Sequence, residues 1–139
     1  MTVGLTKDAG WEVGVSRTLP FPAADIWKLM TSGRGLRLWL GTGVRLPKSV
    51  GTQYETADGT VGELRGYQDG RRIRLTHRPR GARHETIVQA TVQPKGSGAT
   101  LGFHQERMGS AAERERQRAH WQSVMDDVED ALTRSTSAK

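Results

Sequence analysis

Two amino acids are missing from this chain of 139 residues, which contains no cysteine and no asparagine. Without cysteine there can be no disulfide, no thiolate-bound metal and no cysteine nucleophile. Without asparagine there is no N-glycosylation sequon. No stretch approaches the roughly 18 apolar residues of a membrane-spanning helix, and the first residues, MTVGLTKDAGWEV, lack the apolar segment of a secretory signal. We therefore expect a cytoplasmic protein with no membrane span.

Apolar residues are scarce, at 35% of the chain, whereas positive charge is abundant and gives a net charge of +6. A chain of this length suits one domain, and the low apolar fraction predicts a core that is modest or hollow. The positive charge is concentrated between Arg34 and Arg83, where eleven Lys and Arg residues outnumber four acidic residues. Such a surface can bind phosphate groups or can simply be solvated.

The predicted elements are one strand, two short helices, five strands and a long helix. Residues 10–19, GWEVGVSRTL, alternate apolar and polar side chains and predict a strand. A helix bearing aromatic and aliphatic residues follows at 23–30, and a second short helix ends at Gly41. Hairpin signals such as Asp58-Gly59 and Asp69-Gly70 then divide the chain into strands at 52–57, 60–68, 71–78, 83–93 and 98–107.

Two turns set the predicted register of the middle strands. A two-residue loop at Asp69-Gly70 pairs Leu64 with Leu75, and Gly66 with Ile73. A tight turn at Arg80-Gly81 pairs His77 with His84. Because side chains alternate with period two, the predicted inner face comprises Gly62, Leu64, Gly66, Ile73, Leu75, His77, His84, Thr86, Val88, Ala90, Val92, Leu101, Phe103 and Gln105. The predicted outer face carries Tyr67 and the arginines Arg65, Arg72, Arg74, Arg78 and Arg83.

A long C-terminal helix is predicted to begin after Gly109, because Ser110 and Glu113 fit a capping box. Helical spacing places on one side an apolar stripe of Trp121, Val124, Met125, Val128, Ala131 and Leu132. The acidic residues fall on the other side, where we favour a solvated surface over a metal site: Asp126, Asp127, Glu129 and Asp130. The expected boundaries are an N-terminal extension at 1–10, one domain at 11–132 and a disordered tail at 133–139.

The inner face of the predicted sheet carries little side-chain volume opposite this helix. Gly62 and Gly66 carry no side chain, and Thr86 and Ala90 carry small ones. They cannot fill the space beneath a helix that bears Trp121. Either the glycines serve only the curvature of the sheet, or a cavity remains between sheet and helix, and we favour the cavity.

Five segments, in this order, carry a resemblance to a known superfamily: VSRTLPFPAADIWKLM, LWLG, GTQYETADGTVGELRGYQDGRRIRLTHR, GATLGFHQERM and HWQSVMDDVEDAL. They span about residues 11–132. The chain resembles the START-like, helix-grip (SRPBCC) superfamily, and within it the branch named for homologues of the activator of the heat-shock-protein-90 ATPase. The resemblance implies an α+β helix-grip fold, in which a curved antiparallel sheet wraps around a long C-terminal helix and two short helices follow the first strand. It also implies a cavity between sheet and helix that accommodates a ligand.

We therefore expect the chain to bind a small apolar or amphipathic molecule, as a monomer or a homodimer. We assign no catalytic residue, no cofactor and no metal. The expected cavity wall comprises Trp27, Met30, Trp39, Tyr54, Leu75, Val88, Phe103, Trp121 and Met125. Because such pockets are mostly apolar with few polar groups, the side chains expected to orient the ligand are His77, His84 and Gln105.

Other hypotheses remain for the histidines and for the outer face. His77 and His84 could bind a metal with Gln105, hold a carboxylate, or act as the general base of a cyclase- or dehydratase-type enzyme. We favour two hydrogen-bonded histidines at the rim of the pocket. The arginine-rich outer face could instead serve an interaction protein, either co-chaperone-like or nucleic-acid-binding, although we do not expect nucleic acid as the partner.

Overall fold

The computed structural model describes residues 5–6 and 10–137, which form seven strands and three helices. In chain order they are β1 (Leu5–Thr6), β2 (Gly10–Leu19), α1 (Ala23–Thr31), α2 (Gly33–Trp39), β3 (Gln53–Glu55), β4 (Val61–Gln68), β5 (Arg72–His77), β6 (Thr86–Lys95), β7 (Gly98–Met108) and α3 (Ala111–Ser137). The strands form one antiparallel sheet in the order β1-β2-β7-β6-β5-β4-β3. Helix α3 packs on β2 and β7, and α1 packs on β6 and β7. The predicted α+β helix-grip architecture is confirmed.

Helix α3 buries the apolar stripe that its sequence predicts, from Trp121 to Leu132. Its N-terminus carries the predicted capping box, since the Glu113 N–H donates to Ser110 Oγ at 3.1 Å and the Gly109 N–H donates to Glu113 Oε1 at 2.9 Å. The helix continues to Ser137, so the predicted tail at 133–139 is helical as far as the structure describes it. No helix of the described ranges has the length and apolar content needed to cross a membrane.

The acidic side of α3 faces away from the core and is partly neutralised by β2. Arg17 lies 2.9 Å from Asp126 and 2.7 Å from Glu129, and Arg134 pairs with Asp130 at 3.1 Å. Asp126 and Glu129 thus share the guanidinium of Arg17, whereas Asp130 pairs with a different arginine. The interpretation of this surface as a solvated face agrees with the geometry.

The predicted pairing of His77 with His84 is wrong, because His77 pairs with Thr86 in the β5–β6 ladder. The connection occupies residues 78–85 instead of a two-residue turn. Pro79 has no N–H to continue the ladder, and a wider turn forms in which the Ala82 N–H donates to the Pro79 carbonyl at 3.0 Å. His84 therefore lies in this loop, where it is exposed.

The predicted inward position of Gly66 is also wrong. The β4–β5 loop has three residues, 69–71, so Gln68 pairs with Arg72. Between Gly66 and Leu64 the register shifts by one residue, and Leu64 therefore pairs with Leu75 as predicted. Such a bulge reverses the side-chain alternation beyond it. Gly66 consequently pairs with Arg74 on the outer face, and Tyr67, predicted on the outer face, pairs with the buried Ile73.

Candidate ligand-binding site

Three aromatic rings form a continuous layer between the sheet and α3. Phe103 of β7 stacks on Trp121 of α3, with ring centroids 4.6 Å apart, and Trp39 of α2 lies 6.4 Å from Phe103. The indole N–H of Trp39 donates to the Met30 carbonyl at 2.8 Å, so the buried ring has no unsatisfied donor. This layer is closed, since direct stacking leaves no room for a ligand between Phe103 and Trp121.

Gln105 is the polar centre next to this layer. Its Oε1 accepts from the indole N–H of Trp121 and from Nε2 of Gln117, both at 2.9 Å, and its Nε2 donates to Thr86 Oγ1 at 2.9 Å. The Thr86 hydroxyl in turn donates to the His77 carbonyl at 3.2 Å. Gln105 is thus held by side chains of the protein itself, and it fixes Trp121 in position.

His77 stands at the end of this network. Its Nδ1 is the one buried side-chain polar atom without a hydrogen-bond partner in residues 5–6 and 10–137. Burial, and to a smaller degree the nearby His120, lowers the pKa of His77 to about 4, while Asp58 acts in the opposite direction. The imidazole is therefore neutral at pH 7 and has one ring nitrogen free for a partner.

His120 of α3 lies near His77, and its ring is 4.9 Å from that of Trp121. Desolvation lowers its pKa as well. Neither His120 nor Gln117 is among the site residues predicted from the sequence. For Gln117 a signal was present, because it lies four residues before Trp121 and so shares its helix face.

The Tyr54 side chain packs over Gly62 of the neighbouring strand. The Tyr54 hydroxyl donates to the Thr76 carbonyl at 2.6 Å. Burial, and to a smaller degree the charge of Glu85, raises the pKa of Tyr54. A side chain at Gly62 would meet this ring and carbonyl, with its Cβ 1.9 Å from the Thr76 oxygen and 2.6 Å from Tyr54 Cε1. The space that Gly62 was expected to leave beneath α3 is therefore filled by Tyr54.

A cleft of about 620 Å³ adjoins Tyr54 at the margin of the sheet. Its lining includes acidic groups from three segments, among them Glu55, Glu63 and Glu85, together with Arg78. The side chains of the cleft belong to β3, β4, the last residues of β5 and the 78–85 loop. The cleft is lined by Tyr54 and by Thr76 and Arg78, the neighbours of His77 in the chain, whereas His77 itself is not part of the lining.

Among the predicted site residues, His84 lies outside the core, and Trp27 belongs to the core but contacts the β4–β5 hairpin. His84 lies in the loop with its Nε2 3.5 Å from Glu113 Oε1, at the N-terminus of α3. Trp27 contacts Tyr67 edge to face at 5.9 Å, and its indole N–H donates to Asp69 at 3.2 Å. Both contacts of Trp27 lie at the β4–β5 hairpin, away from Trp121.

The other predicted apolar residues meet in the same core as Trp27. Besides the aromatic layer and Tyr54, it contains the aliphatic and thioether side chains of Met30, Leu75, Val88 and Met125. Each of these four is at most 1% exposed. The apolar part of the expected wall is thus one packed cluster, and its polar boundary is the group of Gln105, His77 and Tyr54.

Comparisons with known proteins give structural matches only. No protein-family model matches the sequence, and no curated protein is similar to it by sequence. The chain is similar in structure to DynU16, a putative protein of the dynemicin biosynthetic locus, with a TM-score of 0.76 and 20% identity over 88% of this chain. The chain spans about half of DynU16, since the match covers 47% of that protein.

Two further structures match over nearly their whole length. Protein CV1439 from Chromobacterium violaceum matches with a TM-score of 0.72 and 23% identity, over 87% of this chain and 96% of that one. An HSP90 activator from Plasmodium falciparum matches with a TM-score of 0.69 and 17% identity, over 89% and 97%. At these identities the likeness establishes the architecture. The chain has the START-like helix-grip fold.

Proposed function

We propose that the chain binds one small amphipathic molecule at the polar end of its core, where His77 and Tyr54 lie. The observation that carries this proposal is the buried Nδ1 of His77, which lacks a partner. Leaving a buried polar atom unpaired costs about 1–3 kcal/mol, and such atoms in folded proteins call for an explanation. A ligand atom that bonds to Nδ1 supplies the missing partner.

The chemistry of this end defines the ligand's polar part. A neutral imidazole accepts a hydrogen bond at one nitrogen and donates at the other, so it suits a hydroxyl, phenol or carbonyl group. A carboxylate is disfavoured, because His77 remains uncharged at pH 7 and Asp58 lies nearby. We therefore infer a neutral polar group on the ligand.

The apolar part of the ligand has aromatic neighbours. Trp121 and Tyr54 are 2% and 6% exposed, and both are oriented by hydrogen bonds to the protein. Ligand sites combine walls of this kind with a few fixed polar groups. The helix-grip resemblance implies ligand binding as well, although in a cavity between the sheet and the C-terminal helix.

The two alternatives have less support from the geometry. A pKa of about 4 makes His77 a weak general base at neutral pH, so binding is favoured over cyclase-type catalysis. On the outer face, Arg74 pairs with Glu106, and Arg65 lies 3.6 Å from Glu63. Part of the arginine surface is thus already neutralised within the protein.

A pair of probes that differ by one hydroxyl tests the proposal. 1-Naphthol and naphthalene have the same apolar body, and only the first can hydrogen-bond to His77. We expect the protein to bind 1-naphthol roughly threefold to tenfold more tightly, the ratio that one hydrogen bond supplies. Fluorescence titration measures both affinities.

Two variants separate the site from the rest of the surface. His77→Phe keeps a ring and should abolish the preference for 1-naphthol, while the matched control His84→Ala should retain it. An equal preference in His77→Phe, or no saturable binding of either probe to the parent protein, would contradict the proposal.

A further inference from the structure

Three side chains with metal-ligating groups meet on the outer face of β2 and β7. They are Glu12, His104 and Glu106, and one ligand atom from each lies within 4.8 Å of the other two. Gly14 pairs with His104, and Val13 pairs with the buried Gln105. Because alternate residues of a strand share a face, the three side chains point away from α3. This group is separate from the proposed ligand site.

The imidazole lies between the two carboxylates without bonding to either. His104 Nε2 is 3.8 Å from Glu12 Oε2, and His104 Nδ1 is 3.8 Å from Glu106 Oε2. These separations are too long for hydrogen bonds. One ion can bond to only one of the two ring nitrogens. One ligand atom from each of the three residues lies within 4.8 Å of the other two, so side-chain rotations can bring them to the ~2.0–2.2 Å ligand distances of a single ion.

The two carboxylates differ in what neutralises them. Glu106 accepts a hydrogen bond from Arg74. The Glu12 carboxylate makes no hydrogen bond with any residue that the structure describes, and its ionic neighbour is the His104 ring. Carboxylates on adjacent strands repel when they lie opposite each other. A bound cation would remove that repulsion.

The backbone holds this group in place. Arg114 of α3 donates from Nε to the Glu12 carbonyl at 2.7 Å, which ties this part of β2 to the helix. The β2–β7 register shifts between Trp11 and Val13. Arg107 is the one non-glycine residue of the described ranges with a positive φ, at 70°. Bulges of this kind re-aim side chains, and this one lies next to both Glu12 and Glu106.

We propose that Glu12, His104 and Glu106 bind a divalent transition-metal ion of the zinc type. An imidazole with carboxylates is a donor set that Zn²⁺ accepts. The side chains of Glu12, His104 and Glu106 are 33%, 35% and 15% exposed, so an ion can reach them from solvent. Three protein ligands leave a fourth position of a tetrahedral ion free for water or another ligand.

Calorimetric titration of the full chain with ZnCl₂ tests this site. We expect saturable binding of one ion, weakened in Glu12→Gln and in His104→Ala by more than the ~10-fold that loss of an outer-shell partner causes. His84→Ala is the matched control, because it removes a histidine that also lies beside a glutamate but is outside this group. It should bind Zn²⁺ like the parent.

A second measurement guards against altered folding of the variants. Co²⁺ in place of Zn²⁺ should give visible absorption bands that are lost in His104→Ala, while thermal melting of the ion-free proteins stays the same. Absence of saturable Zn²⁺ binding would overturn the proposal and leave His104 as a histidine between two glutamates. Equal affinity in the parent, Glu12→Gln and His104→Ala would overturn it too.

Discussion

At the scale of single residues, His77 is the side chain on which the proposed ligand site depends. Its inward orientation follows from strand parity, because His77 lies two and four residues after the buried Leu75 and Ile73. Its isolation could not be predicted from the sequence. The expected partner His84 lies in the 78–85 loop, where Pro79 ends the ladder.

The low pKa of His77 predicts a loss of stability in mild acid. Above pH 6.5 the side chain is neutral in both the folded and the unfolded chain. Between pH 6.5 and pH 4 the unfolded chain binds a proton that the folded chain does not, so the free energy of unfolding falls as the pH drops. We expect up to about 2 kcal/mol from His77 between pH 7 and pH 5.

Urea unfolding at pH 7 and pH 5 measures this loss, with His77→Phe as the reference. His120 contributes in the same direction, since its pKa is also lowered. The variant should therefore lose less stability than the parent without becoming wholly independent of pH. The same loss in both proteins would show that His77 does not titrate as described.

The close packing around Gly62 predicts that a side chain at this position destabilises the fold. A Cβ there would lie 1.9 Å from the Thr76 carbonyl oxygen, and a backbone atom cannot move aside cheaply. Gly62→Ala should lower the free energy of unfolding by roughly 1–3 kcal/mol or more. Thermal and urea unfolding measure it.

Gly66→Ala is the matched control for Gly62→Ala. Its Cβ would meet Arg74 Cβ at an ordinary 3.7 Å, and Ala is favoured over Gly in a strand by roughly 0.5–1 kcal/mol. We expect unchanged or higher stability. If the two variants lost the same amount of stability, the assigned orientation of one of the two glycines would be incorrect.

At the scale of elements, periodicity predicts what depends on one strand or helix alone. The stripe from Trp121 to Leu132 identifies the buried face of α3, and Ser110 with Glu113 identifies its start. Registers depend on turns and bulges, which the local sequence specifies weakly. Nothing in the local sequence distinguishes the irregularity at Leu64–Gly66 from a regular strand that contains a glycine. The irregularity nevertheless reverses the faces of Gly66 and Tyr67.

The capping box of α3 gives a prediction at this scale. Ser110→Ala removes the acceptor of the Glu113 N–H and should cost about 1 kcal/mol of stability. Ser123→Ala, an exposed change in the middle of the same helix, should not destabilise, because alanine is the better helix former. Urea unfolding compares them, and a larger loss for Ser123→Ala would contradict the assigned helix start.

At the scale of the whole molecule, the order of elements predicts the helix-grip fold, whereas the shape of the interior depends on contacts between distant segments. The apolar residues expected to line a cavity are in one core, but Phe103 and Trp121 stack directly and Tyr54 fills the space over Gly62. Such contacts join segments far apart in the chain, and strand parity alone cannot predict them. A ligand site is therefore proposed at the polar end of the interior instead of beneath the centre of α3.

This placement predicts a retained molecule in protein purified from its own cells. Native mass spectrometry should show one extra small mass per chain that disappears on denaturation and is reduced in His77→Phe. His84→Ala should retain the extra mass. An extra mass that is unchanged in His77→Phe would place the bound molecule at another surface.

The proposed hydrogen bond to His77 can be followed directly by ¹⁵N NMR of the histidine side chains during titration with 1-naphthol. We expect Nδ1 of His77 to shift on saturation, because this atom gains its missing partner, while the resonances of His84 and His104 stay unchanged. A titration in which the probe binds and His77 Nδ1 does not shift, or in which the probe does not bind at all, would contradict it.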